Sequence, residues 1–536
     1  MNKKVKRGVA FVATVGIGVS LIFSGCGKGE QKESNAEKPA EIKYNGDDIY
    51  PVQCSDELTY WKPLDTPIAQ KYSNYGETEL AKYISEQTGV KIKYIHPAAG
   101  MAEEQFNLLL ASKDLPDIMY NDWLKYGVQK AIDENYICDL TDIMKDYAPN
   151  LSKLLAENKE YDKLVKTDDG KYYAFPFLRG DPYLCVYIGP IVRQDWLNDL
   201  GLDVPETIDD WDIMLQAFKD KKGATVPLAF NTLFLESGPF CGAYGVVADY
   251  YINDDGKVAY GPAEPGFKKF LEKMNDWYNR GLLDENFAVS DSKIIDGYML
   301  NGKSGASVGY AGGNIGSWLD GKKDKNFDLV GAPYPVMNKG ERPKFGSREW
   351  EYIPGASLSI SASCKNKELA ARFLDWGYSE AGRLTYNYGI EGKSYEIKDG
   401  KPQFTDYITN NSDGITLNDM LALWAPTSNN APTVQERTVV DTQRKYEQQR
   451  KAIEKWEDTD MVKHKIPLIS LTSEETSSIS GKKTDIDTYM KEMMFGFISG
   501  SESLDAFDDY VKQLYDLGLQ DVLDTTQKAV ARYNKR

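Results

Sequence analysis

The chain has 536 residues, enough for two or three domains, and is 41% hydrophobic and 27% charged, the balance of a water-soluble globular protein. Its formal charge of −17 repels nucleic-acid phosphates and anionic lipid surfaces, which excludes nucleic acid as a partner. Six cysteines without CxxC spacing and two isolated histidines support neither a disulfide framework, a zinc site nor a Ser-His-Asp triad, so no metal and no cofactor is expected.

In chain order, "MNKKVKR" carries four positive charges and is followed by the apolar run "VAFVATVGIGVSLIF". This is the layout of a secretory signal over residues 1–25. It ends at Phe23-Ser24-Gly25-Cys26, which resembles a bacterial lipobox, with Phe where Leu is usual. The resemblance implies lipidation at Cys26, whose acyl chains would hold the mature protein on the outer face of a bacterial membrane. Loss of Lys3, Lys4, Lys6 and Arg7 takes the formal charge to −21. Residues 26–55 lack apolar periodicity and read as a flexible tether.

From Glu57 the pattern becomes regular. "ELTYW" reads as a strand, "ETELAKYISEQTG" as a helix stopped by Gly89, and "VKIKYI" as a second strand. "EEQFNLLLASKDLPDIMYND" adds a helix and a third strand, so the first structured hundred residues alternate β-α-β-α-β, the mark of a parallel sheet. "TDDGKYY" and "NDDGKVAYG" predict hairpin turns, since neither has calcium-loop spacing. Pro205-Glu206-Thr207 ahead of Trp211, Met214, Leu215 and Phe218 predicts a helix start. Glycine-rich "ASVGYAGGNIG" predicts a strand stopping in a flexible loop, without P-loop or Rossmann spacing. The tail from Thr484 onward reads as helical to the end.

Several blocks carry a resemblance: "ETELAKYISEQTGVKIKYI", "FNLLLASKDLPDIMYNDW", "DDGKYYAFPF", "VRQDWLNDLGLDVPETIDDWDIMLQAFK", "YNRGLLDENF", "NKELAARFLDWGYSEAG" and "NYGIEGKSYEIKDGKPQFTD". In this order they resemble the extracellular solute-binding proteins of bacterial ABC importers. The likeness is to the maltose-binding-protein-like family, in its large Gram-positive saccharide-binding lipoprotein branch. It implies an α/β fold that is two-lobed and periplasmic-binding-protein-like, each lobe a mixed sheet flanked by helices, with the ligand cleft between them. On this basis lobe one is placed at 56–178 plus 358–405 and lobe two at 179–357 plus 406–536. The implied partners are an oligosaccharide, ABC permease subunits and, through Cys26, the membrane; the protein would be a monomer without catalytic activity.

Strand ends facing such a cleft supply the candidate ligand residues: Trp61 and Lys62 after the first strand, then Asn121, Asp122 and Trp123 after "DIMY". Arg179 follows "AFPFL", Tyr310, Asn314 and Trp318 follow "ASVG", Glu349 and Trp350 lie near a crossing, and Trp424 lies in "LALWAP". Aromatic rings suit the apolar C–H faces of sugars, and the polar groups suit vicinal hydroxyls. Asp122 reads equally as a helix cap and Lys62 as a surface side chain. Trp196, Trp211, Trp277, Trp376 and Trp456 fall on helical stripes and are expected in the core. A lipid-anchored glycosidase, which needs two carboxylates flanking the scissile bond, and a peptide-binding lipoprotein are the competing readings.

Overall fold

The helix Glu79–Thr88 forms as its periodicity predicts. The Thr78 hydroxyl accepts from the Ala81 amide at 3.1 Å, Leu80 and Ile84 face inward, and Gly89 ends the helix at φ 74°. A Cβ on Gly89 would lie 2.0 Å from the Val52 carbonyl oxygen, so close chain approach as well as backbone angle requires glycine there. The computed structural model describes residues 38–46, 48–412, 414–426 and 431–536. The signal segment and Cys26 therefore lie outside the described residues.

Lobe one is built on a six-stranded sheet. Its order is Val434–Gln435, Phe175–Arg179, Tyr352–Ile360, Ile118–Tyr120, Glu57–Trp61, Lys91–Ile95. Glu57–Trp61 pairs in parallel with Lys91–Ile95 and with Ile118–Tyr120, the predicted β-α-β-α-β unit. Tyr352–Ile360 is antiparallel to both its neighbours, which makes the sheet mixed. The core beneath it includes Leu58, Ile84, Ile118, Phe175, Leu358 and Phe373.

Lobe two carries a smaller antiparallel sheet, Ala306–Tyr310, Ile188–Arg193, Leu329–Gly331, extended by single parallel bridges from Leu228 to Ala306 and Leu283. The helix Ile208–Lys222 starts with a reciprocal box between Thr207 and Asp210. Its Trp211 meets Phe240 edge-on at 5.0 Å, and Phe240 meets Trp277 at 5.5 Å. Trp196, Trp211, Trp277, Trp376 and Trp456 are all buried, as the stripes require. The segments "TDDGKYY" and "NDDGKVAYG" are turns, the second closing the hairpin Tyr250–Ile252/Val258–Tyr260.

The structure differs from the sequence expectation in two boundaries. The expected tether is folded from about residue 39: Lys43–Asn45 pairs with Asp48–Gln53, Val52 enters the lobe-one core, and the Tyr50 hydroxyl donates to the Arg372 carbonyl at 2.8 Å. Residues 406–434 belong with lobe one, because Ile408, Met420, Leu421 and Val434 join its core. The chain thus crosses into lobe two after Gln435, not near residue 405. The C-terminal helix Leu519–Tyr533 spans both cores, with Leu519 and Val522 in the second and Tyr533 in the first. Arg532 and Arg536 pin its end to Asp168 of lobe one at 2.8 and 2.5 Å.

Candidate functional site

Three strands leave the lobe-one sheet side by side, and their ends form the base of the site. The Arg179 amide donates to the Glu351 carbonyl at 2.7 Å, the Gly180 amide to the Gln435 carbonyl at 3.0 Å, and the Glu349 amide to the Cys185 carbonyl at 2.8 Å. Gly180 must be small here, since a Cβ would stand 2.7 Å from the Gln435 carbonyl oxygen. The Arg179 guanidinium donates to the Gln435 side chain at 2.7 Å. Backbone pairing therefore fixes where Arg179 and Glu349 stand.

On this base stands an aromatic wall. The Tyr187 ring has the Arg179 guanidinium 5.4 Å from its centroid and stacks on Tyr310 at 6.1 Å and 12°. Phe234 meets Tyr310 edge-on at 5.5 Å. Tyr310 nevertheless keeps 43% of its surface exposed, an open ring held from behind. Its backbone is held too: its amide donates to Asn314 Oδ1 at 2.8 Å, and the next amide, of Ala311, donates to the Tyr187 carbonyl at 2.8 Å. The expected flexible loop is instead a helical turn, Ala311–Gly316, running into Ser317–Gly321. That Asn314 bond to Tyr310 caps the turn, which composition alone hides.

Beside the wall lies a cavity of about 440 Å³ lined among others by Glu236, Asp249, Arg348, Glu349, Lys465 and Lys483. Glu349 raises the Tyr187 hydroxyl pKa, after burial, and lies 3.7 Å from the Lys465 ammonium. Burial pushes the Lys465 pKa down, and its ammonium donates to the Arg348 carbonyl. Trp350 lies half-buried beneath Lys465, its indole N–H donating to the Ile466 carbonyl at 3.2 Å. Burial raises the Asp249 and Glu236 carboxyls, and Asp249 raises Glu236 further. Both residues are exposed, so these carboxyls stand on the cavity wall within reach of water.

Lobe one contributes a second cavity, of about 420 Å³, at the ends of Glu57–Trp61 and Ile118–Tyr120. Trp61, Asn121 and Asp122 line it with Tyr120 and Tyr126. Asp122 also caps the turn Trp123–Tyr126, accepting from the Lys125 amide at 3.1 Å.

The remaining candidates sit elsewhere. Lys62 is buried, not on the surface; its ammonium is 4.1 Å from the Tyr75 ring centroid, and burial lowers its pKa. Trp123 is enclosed in the lobe-one core against Phe106 and Tyr126. Trp318 is enclosed in lobe two, its indole N–H donating to Asp296 at 2.6 Å. Trp424 ends the helix Leu417–Trp424 and is buried against Tyr407, with the Lys393 ammonium 4.8 Å away. For Trp123 and Trp318 the strand continues into a helical turn, which carries the ring inward; Trp424 belongs to a helix whose inner face it shares with Met420 and Leu421. Tyr187, Phe234, Glu236, Asp249 and Lys465 were not legible as site residues, because no local motif marks them.

Two lobes are joined by paired crossing strands, with an open ring and a cavity lined by charged groups at the crossing. The chain belongs to the bacterial extracellular solute-binding protein family, whose profile matches residues 71–384. It is a binding protein and not an enzyme. It is 25% identical to the fructooligosaccharide ABC transporter substrate-binding protein FusA of Streptococcus pneumoniae serotype 4, over 96% of each chain. It is 27% identical to lipoprotein LipO of Bacillus subtilis over 73% of this chain and 74% of that one. Among solved structures it is similar in fold to an HMO-binding, ABC-transporter-associated solute-binding protein from Bifidobacterium longum infantis. The TM-score is 0.74 and the identity 19%, covering 90% of this chain and 99% of that one.

Two outcomes follow from this geometry. Trp123→Ala and Trp318→Ala each empty a filled core site and should cost about 3–5 kcal/mol of stability. Tyr310→Ala should melt within a few degrees of wild type in the same calorimetric scan. Asp249 tests the raised carboxyl. A carboxyl raised above its unfolded value gives the native state a proton-binding advantage that is present at low pH. That advantage is lost as pH rises from about 4 through the raised value. Asp249→Asn removes the loss, so it should melt above wild type at neutral pH, with the gap closing in acid. Screening by water keeps the gap modest. Equal melting at both pH values would contradict the assignment.

Proposed function

We propose that this chain is the capture component of an ABC importer for a saccharide, most simply an oligosaccharide. The observation that carries this reading is the open Tyr310 ring, stacked on Tyr187, whose hydroxyl meets Glu349 on the wall of the charged cavity at the crossing. A flat ring offers a face to sugar C–H groups while charged groups take up hydroxyls by strong, directional hydrogen bonds. The printed names of the relatives, a fructooligosaccharide-binding protein among them, support the same class. The lobe-one residues Trp61, Asn121 and Asp122 complete the site when the lobes close. Contacts made to both lobes exist only in the closed state, so ligand shifts the population toward closure and permease subunits receive that form.

In this reading the mature protein acts as a monomer tethered by lipid at Cys26. The support is the residue pattern "LIFSGC" and the likeness to a chain named a lipoprotein. Lobe one comprises about 39–178 plus 352–434, and lobe two most of the remainder.

A thermal-shift panel of oligosaccharides tests the reading, because a tight ligand raises melting by mass action. At least one saccharide should stabilise the protein, and Tyr310→Ala should lose about tenfold in affinity for it by calorimetric titration. A panel in which no saccharide acts would overturn the assignment. Cys26→Ala should move the protein from the membrane fraction to the medium; unchanged retention would remove the lipid anchor from the account.

A further inference from the structure

A third cavity, of about 320 Å³, lies in lobe two and shares only Glu236 with the crossing cavity described above. It is enclosed by the turn Thr232–Ser237, by residues 287–291 and by the helix Ser473–Ser499. Glu236 lines this cavity and also the cavity at the crossing. One carboxylate therefore borders both spaces.

The long helix runs under both. Ile479 and Lys483 line the crossing cavity, and Met490 and Met494 line the third. At 3.6 residues per turn these four positions fall on one stripe about 60° wide. From 479 to 494 the stripe is roughly 22 Å long at 1.5 Å per residue. Asp487 sits between them on the same side, flanked by Lys483 and Lys491, and burial raises its carboxyl. Across the groove, Glu236 is influenced by Asp249, Lys491 and Asp487, and Asp249 by Lys483 and Asp487, so the two polar rows face one another. At the outer end Leu233 and Val289 are 57% and 74% exposed, apolar surface left open beside polar Asn231 and Thr232.

Resting on the saccharide reading above, we propose that the ligand groove continues past Glu236 along the helix Ser473–Ser499 to a second saccharide subsite between Thr232, Val289 and Met494. The mixed lining, apolar walls with polar groups at intervals, matches a sugar chain, which presents C–H faces and hydroxyls alternately. An isolated monosaccharide fills one end only. The protein therefore selects by chain length, and the far subsite supplies affinity that short ligands do not reach.

The test is a length series. Size-graded fructo-, malto- and galacturono-oligosaccharides of two to six residues are titrated calorimetrically against the full chain. With the series that binds, affinity should climb at least tenfold from the shortest to the longest member. Val289→Trp blocks the outer cavity from an exposed position, and Lys491→Ala removes a wall cation. Both should bind the shortest member as wild type does and lose the gain with length. Affinity flat with length, or a gain that both variants keep, overturns the second subsite and leaves saccharide capture standing. If none of the three series binds at any length, the saccharide reading falls and the subsite with it.

Discussion

The site depends on one backbone arrangement: three strands that cross between the lobes are hydrogen-bonded to each other at the point of crossing. Phe175–Arg179 lies between Tyr352–Ile360 and Val434–Gln435, and the pairing runs on past the strand ends through Gly180 and Gln435. A single crossing strand would leave its neighbours free to drift; three paired ones hold Arg179, Gln435 and Glu349 in one register. The register of Tyr352–Ile360 shifts between Ile353 and Leu358, which bends the strand as it leaves the sheet.

Charge at the site is arranged to stay incompletely satisfied. Asp375, in the lobe-one core, accepts from the Asn150 side chain and from the Leu151 amide at 2.7 and 2.8 Å. Asp249, by contrast, accepts from the neighbouring Tyr250 amide at 2.7 Å and otherwise faces the cavity. Both carboxyls are raised by burial. Only the second is placed where a ligand hydroxyl can supply the missing donor. A carboxylate with accepting capacity left toward a cavity is how a binding site differs from a core.

What the sequence made legible was what is local. The β-α-β-α-β unit, the Thr207 start, the Gly89 stop and the two hairpin turns each rest on residues within a few positions of one another. The family resemblance extended this to two lobes. The expected tether failed because its structure comes from distant partners: Tyr50 reaches Arg372, and Ala40 lies near Asn366. The lobe boundary near residue 405 failed likewise, since only packing shows that Met420 and Val434 join the first core. Of the candidate site, Arg179, Tyr310, Glu349 and Trp350 gather near the crossing, while Trp61, Asn121 and Asp122 share the lobe-one cavity. Their partners Tyr187 and Lys465 lie 278 positions apart, a pairing no period or motif can report.

The tryptophans show why the open ring proposed as a platform is a tyrosine. An indole N–H needs an acceptor, and several in this chain have an internal one: Trp277 donates to Asp212, Trp318 to Asp296, Trp350 to Ile466 and Trp456 to Ala332. Each bond fixes the ring in place and commits it to the fold. Tyr310 is fixed by other means: Tyr187 behind it, Phe234 at its edge, Asn314 on its amide. Its orientation is set before any ligand arrives, so binding does not bear the entropy of ordering the ring. Arg179, on Tyr187, extends the same stack into the hydrogen-bonded crossing. An open ring at the crossing is thereby tied to the hydrogen-bonded base of the site.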